Sequence, residues 1–170
     1  MAKLDEYLAR KAAVLTERQA DFAAKPEAAS VKLKATAHVA GNTGVRPVRL
    51  GDYTVISDSA PGLAGHSLGP TAPELLLGAL ASCLVHTYLL QAALLNIALD
   101  AVAVEVQGAL DMTGAVGLPY AGPLKLESIS YTPQIESTAS SATLQQLHAA
   151  VEAACAVLNT IRHPVEVVRR

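Results

Sequence analysis

Residues 71–95 read TAPELLLGALASCLVHTYLLQAALL. No Asp, Glu, Lys or Arg occurs from Leu75 to Leu95, a run long enough to cross a bilayer. Its flanks argue against that use. The nearest basic residues are Arg49 before it and Lys125 after it, so no positive-inside bias is present, and Ser82, Cys83, His86, Thr87 and Gln91 interrupt the apolar surface. A helix of a soluble domain that is apolar all round packs on every side. The stretch is therefore expected to form a long buried helix. Its start is well marked: Thr71 as N-cap with Glu74 three residues on makes a capping box, and Pro73 stands in the first turn, where its missing N–H is harmless.

Upstream, Ser59 to Pro70 carries Pro61, Gly62, Gly65 and Gly69 and reads as a loop. Before it the apolar period is two. From Ser30 onward Val31, Leu33, Ala35, Ala37 and Val39 alternate with Lys32, Lys34, Thr36 and His38, and Gly41 to Gly44 makes a turn. A second strand runs through Arg46, Val48 and Leu50, and Gly51-Asp52 is the corner to a third over Tyr53–Ser57. Residues 1–24 place Leu4, Leu8, Ala12, Leu15 and Phe22 at near-helical spacing, with Lys3, Glu6, Arg10, Glu17 and Arg18 mostly elsewhere, an amphipathic outer helix.

Downstream, Val102, Val104 and Val106 restore the two-residue period, and Met112–Pro123 is a Gly/Pro loop. Leu124–Glu136 is the partner strand, and its apolar phase switches between Leu126 and Ile129, the mark of a bulge. One last helix carries Leu144, Leu147, Val151, Ala154, Cys155 and Leu158 on a single stripe, and Pro164–Val168 reads as a closing strand. This order belongs to an α+β domain with antiparallel sheets packed around the long Cys83 helix and a second helix bearing Cys155.

At 170 residues, 51% hydrophobic and 16% charged, the chain is sized for one domain with a sizeable core. A net charge of −2, no Trp and one Phe argue against nucleic-acid and anionic-membrane partners, which need a basic surface or a stacking platform. The charged amino terminus lacks an apolar signal-peptide core, so a cytoplasmic protein is expected. Two cysteines are too few for a disulfide scaffold and lack zinc-knuckle spacing; in a reducing compartment they are either inert packing or redox chemistry.

Cys83 shares a helical face with His86 at i+3 and Thr87 at i+4. An imidazole there would favour a thiolate, whereas a free cysteine in an Ala/Leu helix is also read as packing. Glu74 is a candidate catalytic acid or a capping residue. Arg46 and Arg49, in GVRPVRLGD, would stabilise a thiolate or orient a peroxide, or else be solvated strand side chains. His66 has the same ambiguity. Cys83, His86, Cys155 and His163 are chemically suited to a metal, but Cys-x-x-His is the one tight pair among them, and no metal is expected. There is no phosphate-binding glycine loop or H-E-x-x-H.

Taken together, GPTAPELLLGALASCLVHT (69–87), ALDAVAVEVQG (98–108) and VEAACAVLNTIRHPVEV (151–167) resemble the OsmC/Ohr family of osmotically induced and organic hydroperoxide resistance proteins, over about residues 30–170. The resemblance implies an OsmC-like fold in an intertwined homodimer, with 1–29 a helical extension and 30–170 the OsmC-like domain. It implies Cys83 as peroxidatic thiol, Cys155 as resolving thiol, and an external thiol or dithiol as reductant with no bound cofactor. An Arg of the early strands and an acid near the helix start would activate the thiol; Arg46, in preference to Arg49, and Glu74 are the candidates. The chain departs from the family pattern at two further points. Glu74 stands nine residues before Cys83, one closer than in the peroxidase branch, and Ala156 follows Cys155 where Pro is usual. The helix is therefore expected to run on through Cys155, so that disulfide formation needs more movement. The amino-terminal helix is expected to pack on the partner subunit.

Three functions are compatible with these residues. The first is a thiol peroxidase for organic hydroperoxides, with Leu80 and Leu84 as apolar walls. The second is a non-catalytic protein holding a small hydrophobic ligand at the dimer interface. The third is a hydrolase or transferase in which His86 serves Cys83 as base.

Overall fold

The structure is a computed structural model and describes residues 4–170, so Lys3, assigned above to the polar face of the first helix, lies outside it. The chain divides into two compact units: the chain up to Ala20 with Leu77–Arg170, and Asp21–Leu76. Helices α1 (Asp5–Ala24) and α2 (Ala72–Leu95) each run from one unit into the other.

In the Asp21–Leu76 unit, β1 (Ala35–Ala37), β2 (Arg46–Leu50) and β3 (Tyr53–Ser57) form an antiparallel sheet in chain order. Leu50 pairs with Tyr53, leaving Gly51-Asp52 as a two-residue corner. Gly51 takes φ +60° at the first loop position, the sign a II′ hairpin turn requires there. The first strand is shorter than its alternating pattern suggests. β1 pairs from Ala35 against Leu50 to Ala37 against Val48, and since β2 ends at Leu50 no ladder remains for Val31 and Leu33, which stay exposed.

A compact loop follows β3. The Asp58 carboxylate, fully buried, accepts the backbone N–H groups of Ser59 (2.8 Å), His66 (2.9 Å) and Leu68 (3.2 Å). These bonds, led by that of Ser59, hold its carboxyl below the ordinary 3.8. Gly65 and Gly69 lie so close to the backbone of Ser59 and Ile56 that neither position has room for a Cβ.

In the cysteine-bearing unit, β4 (Ala101–Ala109) and β5 (Glu127–Glu136) pair antiparallel. The expected bulge is present: between the Gln107–Ser130 and Ala109–Glu127 pairs, Ser128 and Ile129 oppose Gly108 alone, and Ser128 takes φ +52°. The core is built from Leu84, Ala92, Leu99, Leu147, Val151 and Cys155, all fully buried. Burying a side chain of Leu size contributes about 1.5–3 kcal/mol.

Four expectations are corrected here. Leu4, Leu8, Ala12 and Leu15 of α1 pack on this chain's own core, and the Leu4 N–H bonds Leu99 O at 3.2 Å, so most of that stripe finds cover within the chain while Phe22 stays exposed. Helix α2 is buried along one face, through Leu80, Leu84, Tyr88 and Ala92, while Leu76, Leu94 and Leu95 remain exposed. One chain supplies elements for only one side of it. Pro164–Val168 forms no strand among the described residues; the segment finds no ladder within the chain, and Val167 is 91% exposed. Finally, the last helix is two: α3 (Ser141–Ala154) and α4 (Ala156–Arg162), separated at Cys155.

Candidate functional site

The interruption at Cys155 is a backbone event without proline. Its φ of −72° is helical, but ψ is 107°, so the residue ends α3 and begins α4. This overturns the expectation that Ala156 would let the helix run through. The side-chain amide of Asn159 faces two carbonyls freed by the break, with Nδ2 3.0 Å from Glu152 O and 3.2 Å from Ala153 O, and it also lies 3.0 Å from Cys155 O, which takes the Asn159 backbone N–H.

Across from this break, mid-α2, stands Cys83. The Cys155 Sγ lies 3.4 Å from Cys83 Sγ, and both thiols are free. Cys83 is half-buried and Cys155 fully buried. Burial pushes the Cys155 thiol above its ordinary pKa, and the neighbouring Cys83 sulfur adds to the shift. The Thr87 hydroxyl, one turn beyond Cys83, donates to the Cys83 carbonyl at 2.7 Å and is among the groups that pull the Cys155 thiol back down. His86 points to solvent, and among the described residues no hydrogen bond joins it to Cys83. The partner that the fold provides for Cys83 is the second sulfur, which leaves the Cys83–His86 dyad without support.

A cavity of about 500 Å³ opens in the same unit. Leu80 and Leu158, each one turn from a cysteine, help to line it, together with Tyr88, Tyr131, His148 and Glu152. Leu84, expected as a second apolar wall, turns into the core instead. Polar contacts organise the cavity rim. The Tyr88 hydroxyl lies 2.6 Å from His148 Nδ1, and burial pushes the Tyr88 phenol up. The Tyr131 hydroxyl donates to Glu152 Oε1 at 2.6 Å, and Glu152 Oε2 meets Arg162 at 3.2 Å. Burial, then the Glu152 bond, pushes Tyr131 up to about 12, while the Tyr131 and Arg162 bonds hold Glu152 below its ordinary value.

The other candidates belong to the Asp21–Leu76 unit. Glu74 forms the capping box read from the sequence: its Oε2 accepts from the Thr71 N–H (2.7 Å) and hydroxyl (2.8 Å), and its own N–H reaches Thr71 Oγ1 at 3.4 Å. The Thr71 backbone bond, then its hydroxyl, holds the Glu74 carboxyl low, so it is an anion with a local partner. Arg46 pairs across the ladder with Ser57, bonds Ser57 Oγ at 3.3 Å and also donates to Gly44 O. Arg49, three residues on and hence on the opposite strand face, donates to Gly51 O at 3.0 Å and is exposed. Among the described residues no three of Cys, His, Asp and Glu gather as a metal site.

Sequence reasoning missed Asn159, His148 and the Tyr131–Glu152–Arg162 chain. Only Asn159 left a trace, since Asn is a weak former inside a helix.

The sequence pattern of the OsmC-like protein family matches residues 65–168. No curated protein matches the chain. Among solved structures, an OsmC-like protein from Mycoplasma pneumoniae is similar at 21% identity and TM-score 0.68, over 79% of this chain and 90% of that one. An organic hydroperoxide resistance protein from Legionella pneumophila is similar at 21% identity and TM-score 0.57, over 82% and 95%. The organic hydroperoxide resistance protein OhrB of Bacillus subtilis is similar at 21% identity and TM-score 0.52, over 81% and 95%. At these identities the likeness is one of fold, and the family pattern spans most of the chain, including both cysteines and the helices that carry them: the chain belongs to the OsmC-like protein family of the OsmC/Ohr group.

Proposed function

We propose that the protein is a thiol peroxidase that reduces organic hydroperoxides through Cys83 and Cys155. The observation that carries this reading is the 3.4 Å approach of two free sulfurs from distant parts of the chain. The Cys83 thiolate attacks the O–O bond, taking one oxygen as a sulfenic acid while the alkoxide leaves and is protonated to the alcohol. The Cys155 thiol then displaces hydroxide from the Cys83 sulfur, and its proton completes a water molecule as the disulfide forms. An external dithiol reduces the disulfide and is itself oxidised to a disulfide. Arg46 and Glu74 are the candidates that the family resemblance offers for activating the thiol; in this reading, Arg46→Ala and Glu74→Gln slow sulfenic acid formation.

The working unit is a homodimer in the reducing cytoplasm. The half-bare face of α2, with 28% of its most apolar stretch buried in the chain, and the exposed Leu33, Val165 and Val167 support a second copy as their cover. Sedimentation should give twice the 17.6 kDa chain mass.

The decisive experiment is intact mass and free-thiol count before and after one equivalent of cumene hydroperoxide, then of hydrogen peroxide. Loss of both thiols, faster with the organic peroxide, supports the reading. Two unreacted thiols overturn it and favour the second reading, a binding protein whose roughly 500 Å³ cavity holds a small hydrophobic ligand.

A further inference from the structure

We propose that Asn159 is a positioning residue for the resolving cysteine: its side-chain amide clasps the end of α3 and keeps Cys155 at a hinge between two helices instead of inside one. The inference rests on the redox-pair reading above and adds to it a residue that the family resemblance does not assign.

Nothing in residues 141–162 forces a helix to stop. There is no Pro and no Gly, and Ala153, Ala154 and Ala156 around the break are the best of helix formers. Helix propagation gains one backbone bond for each residue added, so an unopposed chain would zip through Cys155. It stops instead, with ψ 107° at Cys155, and α3 is left with carbonyls that no backbone N–H serves. Glu152 and Ala153 are exposed, so these carbonyls are served either by water or by a donor held nearby.

Asn159 supplies what is missing. Its Nδ2 approaches Glu152 O, Ala153 O and Cys155 O within 3.0 to 3.2 Å, while its own backbone N–H bonds Cys155 O at 3.0 Å. The two amide hydrogens serve three acceptors, one of them shared. The orientation is dictated by chemistry, because an amide oxygen in that place would face acceptors alone. One side chain thus does for this chain what a proline after the cysteine would do by sterics.

The consequence for chemistry is freedom at Cys155. A disulfide bond is about 2.05 Å long, so the sulfurs must close from 3.4 Å. In one continuous helix the Ala156 and Val157 N–H groups would bond Glu152 O and Ala153 O and lock the two flanks of the cysteine into one rod. At the hinge, Cys155 keeps its N–H bond to Val151 O at 2.9 Å and its carbonyl takes the Asn159 N–H at 3.0 Å, so each flank stays helical while the backbone bonds that would span the residue give way to one side chain. The same bend sets α4, which buries Leu158 and brings Arg162 to Glu152 across the break.

The test is a thiol–disulfide equilibration of the full chain in reduced and oxidised dithiothreitol, which needs no peroxide. Asn159→Ala should close the 83–155 disulfide about tenfold more slowly than the wild type, the clasp bonds being lost. Adding Ala156→Pro to that variant should restore closure, because proline bars the helical conformation at the preceding residue and is tolerated at the first helical position. Ala156→Pro alone should close like the wild type. Wild-type closure in Asn159→Ala, or slow closure that Ala156→Pro leaves uncorrected, overturns the proposal. So does an Ala156→Pro chain that is slow or unfolded, since Cys155 would then be helical in solution. If the wild type itself forms no disulfide, the redox reading fails. The hinge is then judged separately by the Cα chemical shift of Cys155, extended if the clasp is real and helical if it is not.

Discussion

The sulfurs of Cys83 and Cys155 approach to 3.4 Å although the two residues are 72 positions apart in the chain. Cys83 is half-buried and Cys155 fully buried, with a thiol pKa that burial raises, so in the proposed reaction peroxide would reach Cys83 first and Cys155 would follow. Cys155→Ser should therefore stop at a sulfenic acid on Cys83, seen as one added oxygen and captured by dimedone. Cys83→Ser should consume no peroxide. Wild-type protein should show neither the added oxygen nor the dimedone adduct, only the loss of two hydrogens.

The Asp58 carboxylate collects three backbone N–H groups and so organises the loop from Ser59 to Leu68. Asp58→Ala should release it, seen as faster hydrogen exchange at the His66 and Leu68 amides and as a new protease-sensitive site. The folded carboxyl is held below its ordinary 3.8, chiefly by the Ser59 N–H. Its contribution is thus fully present above that value and is lost as the pH falls through the lower, folded one. Loop protection should decline in acid before the core melts, and Asp58→Ala should abolish that step.

Gly65→Ala and Gly69→Ala should each destabilise the chain by about 1–3 kcal/mol, since the added methyl would overlap backbone atoms that cannot swing aside. Gly62→Ala, where a Cβ meets nothing within 4 Å, is the control. Thermal melts of the three proteins decide the matter, and equal melting temperatures would contradict the close approach.

Tyr131 should ionise near 12 and Tyr88 later still, as followed by tyrosinate absorbance, with Tyr131→Phe and Tyr88→Phe assigning the two transitions. A folded pKa raised above the unfolded 10.0 means that the Tyr131 contribution is intact below pH 10 and fades from there to about pH 12. Glu152→Gln removes the negative charge beside Tyr131 and should lower its transition. Because Glu152 and Arg162 are nearly half exposed, the stability lost should be under about 1 kcal/mol.

Features encoded by neighbours in sequence were readable in advance. The Thr71–Glu74 capping box, the Gly51-Asp52 corner and the bulge before Ile129 each depend on residues within one turn or one hairpin, where side-chain chemistry and backbone sterics act without help from the rest of the fold. The family motifs likewise single out Cys83 and Cys155, whose sulfurs the fold brings to 3.4 Å.

Other features required the folded chain. Ala156 suggested a continuous helix, because propensity weighs residues one at a time, whereas the break at Cys155 is stabilised by the Asn159 amide reaching back over three carbonyls. The apolar stripe of α1 showed that it must be buried but not against what, and packing chose this chain's own core. The segment Pro164–Val168 reads as a strand, yet a strand exists only where another backbone offers a ladder, and among the described residues none pairs with it. Local pattern determined the caps, the corner, the bulge and most of the elements of this chain. Tertiary structure decided which faces are covered and how near the two sulfurs lie, because burial and distance belong to segments far apart in sequence.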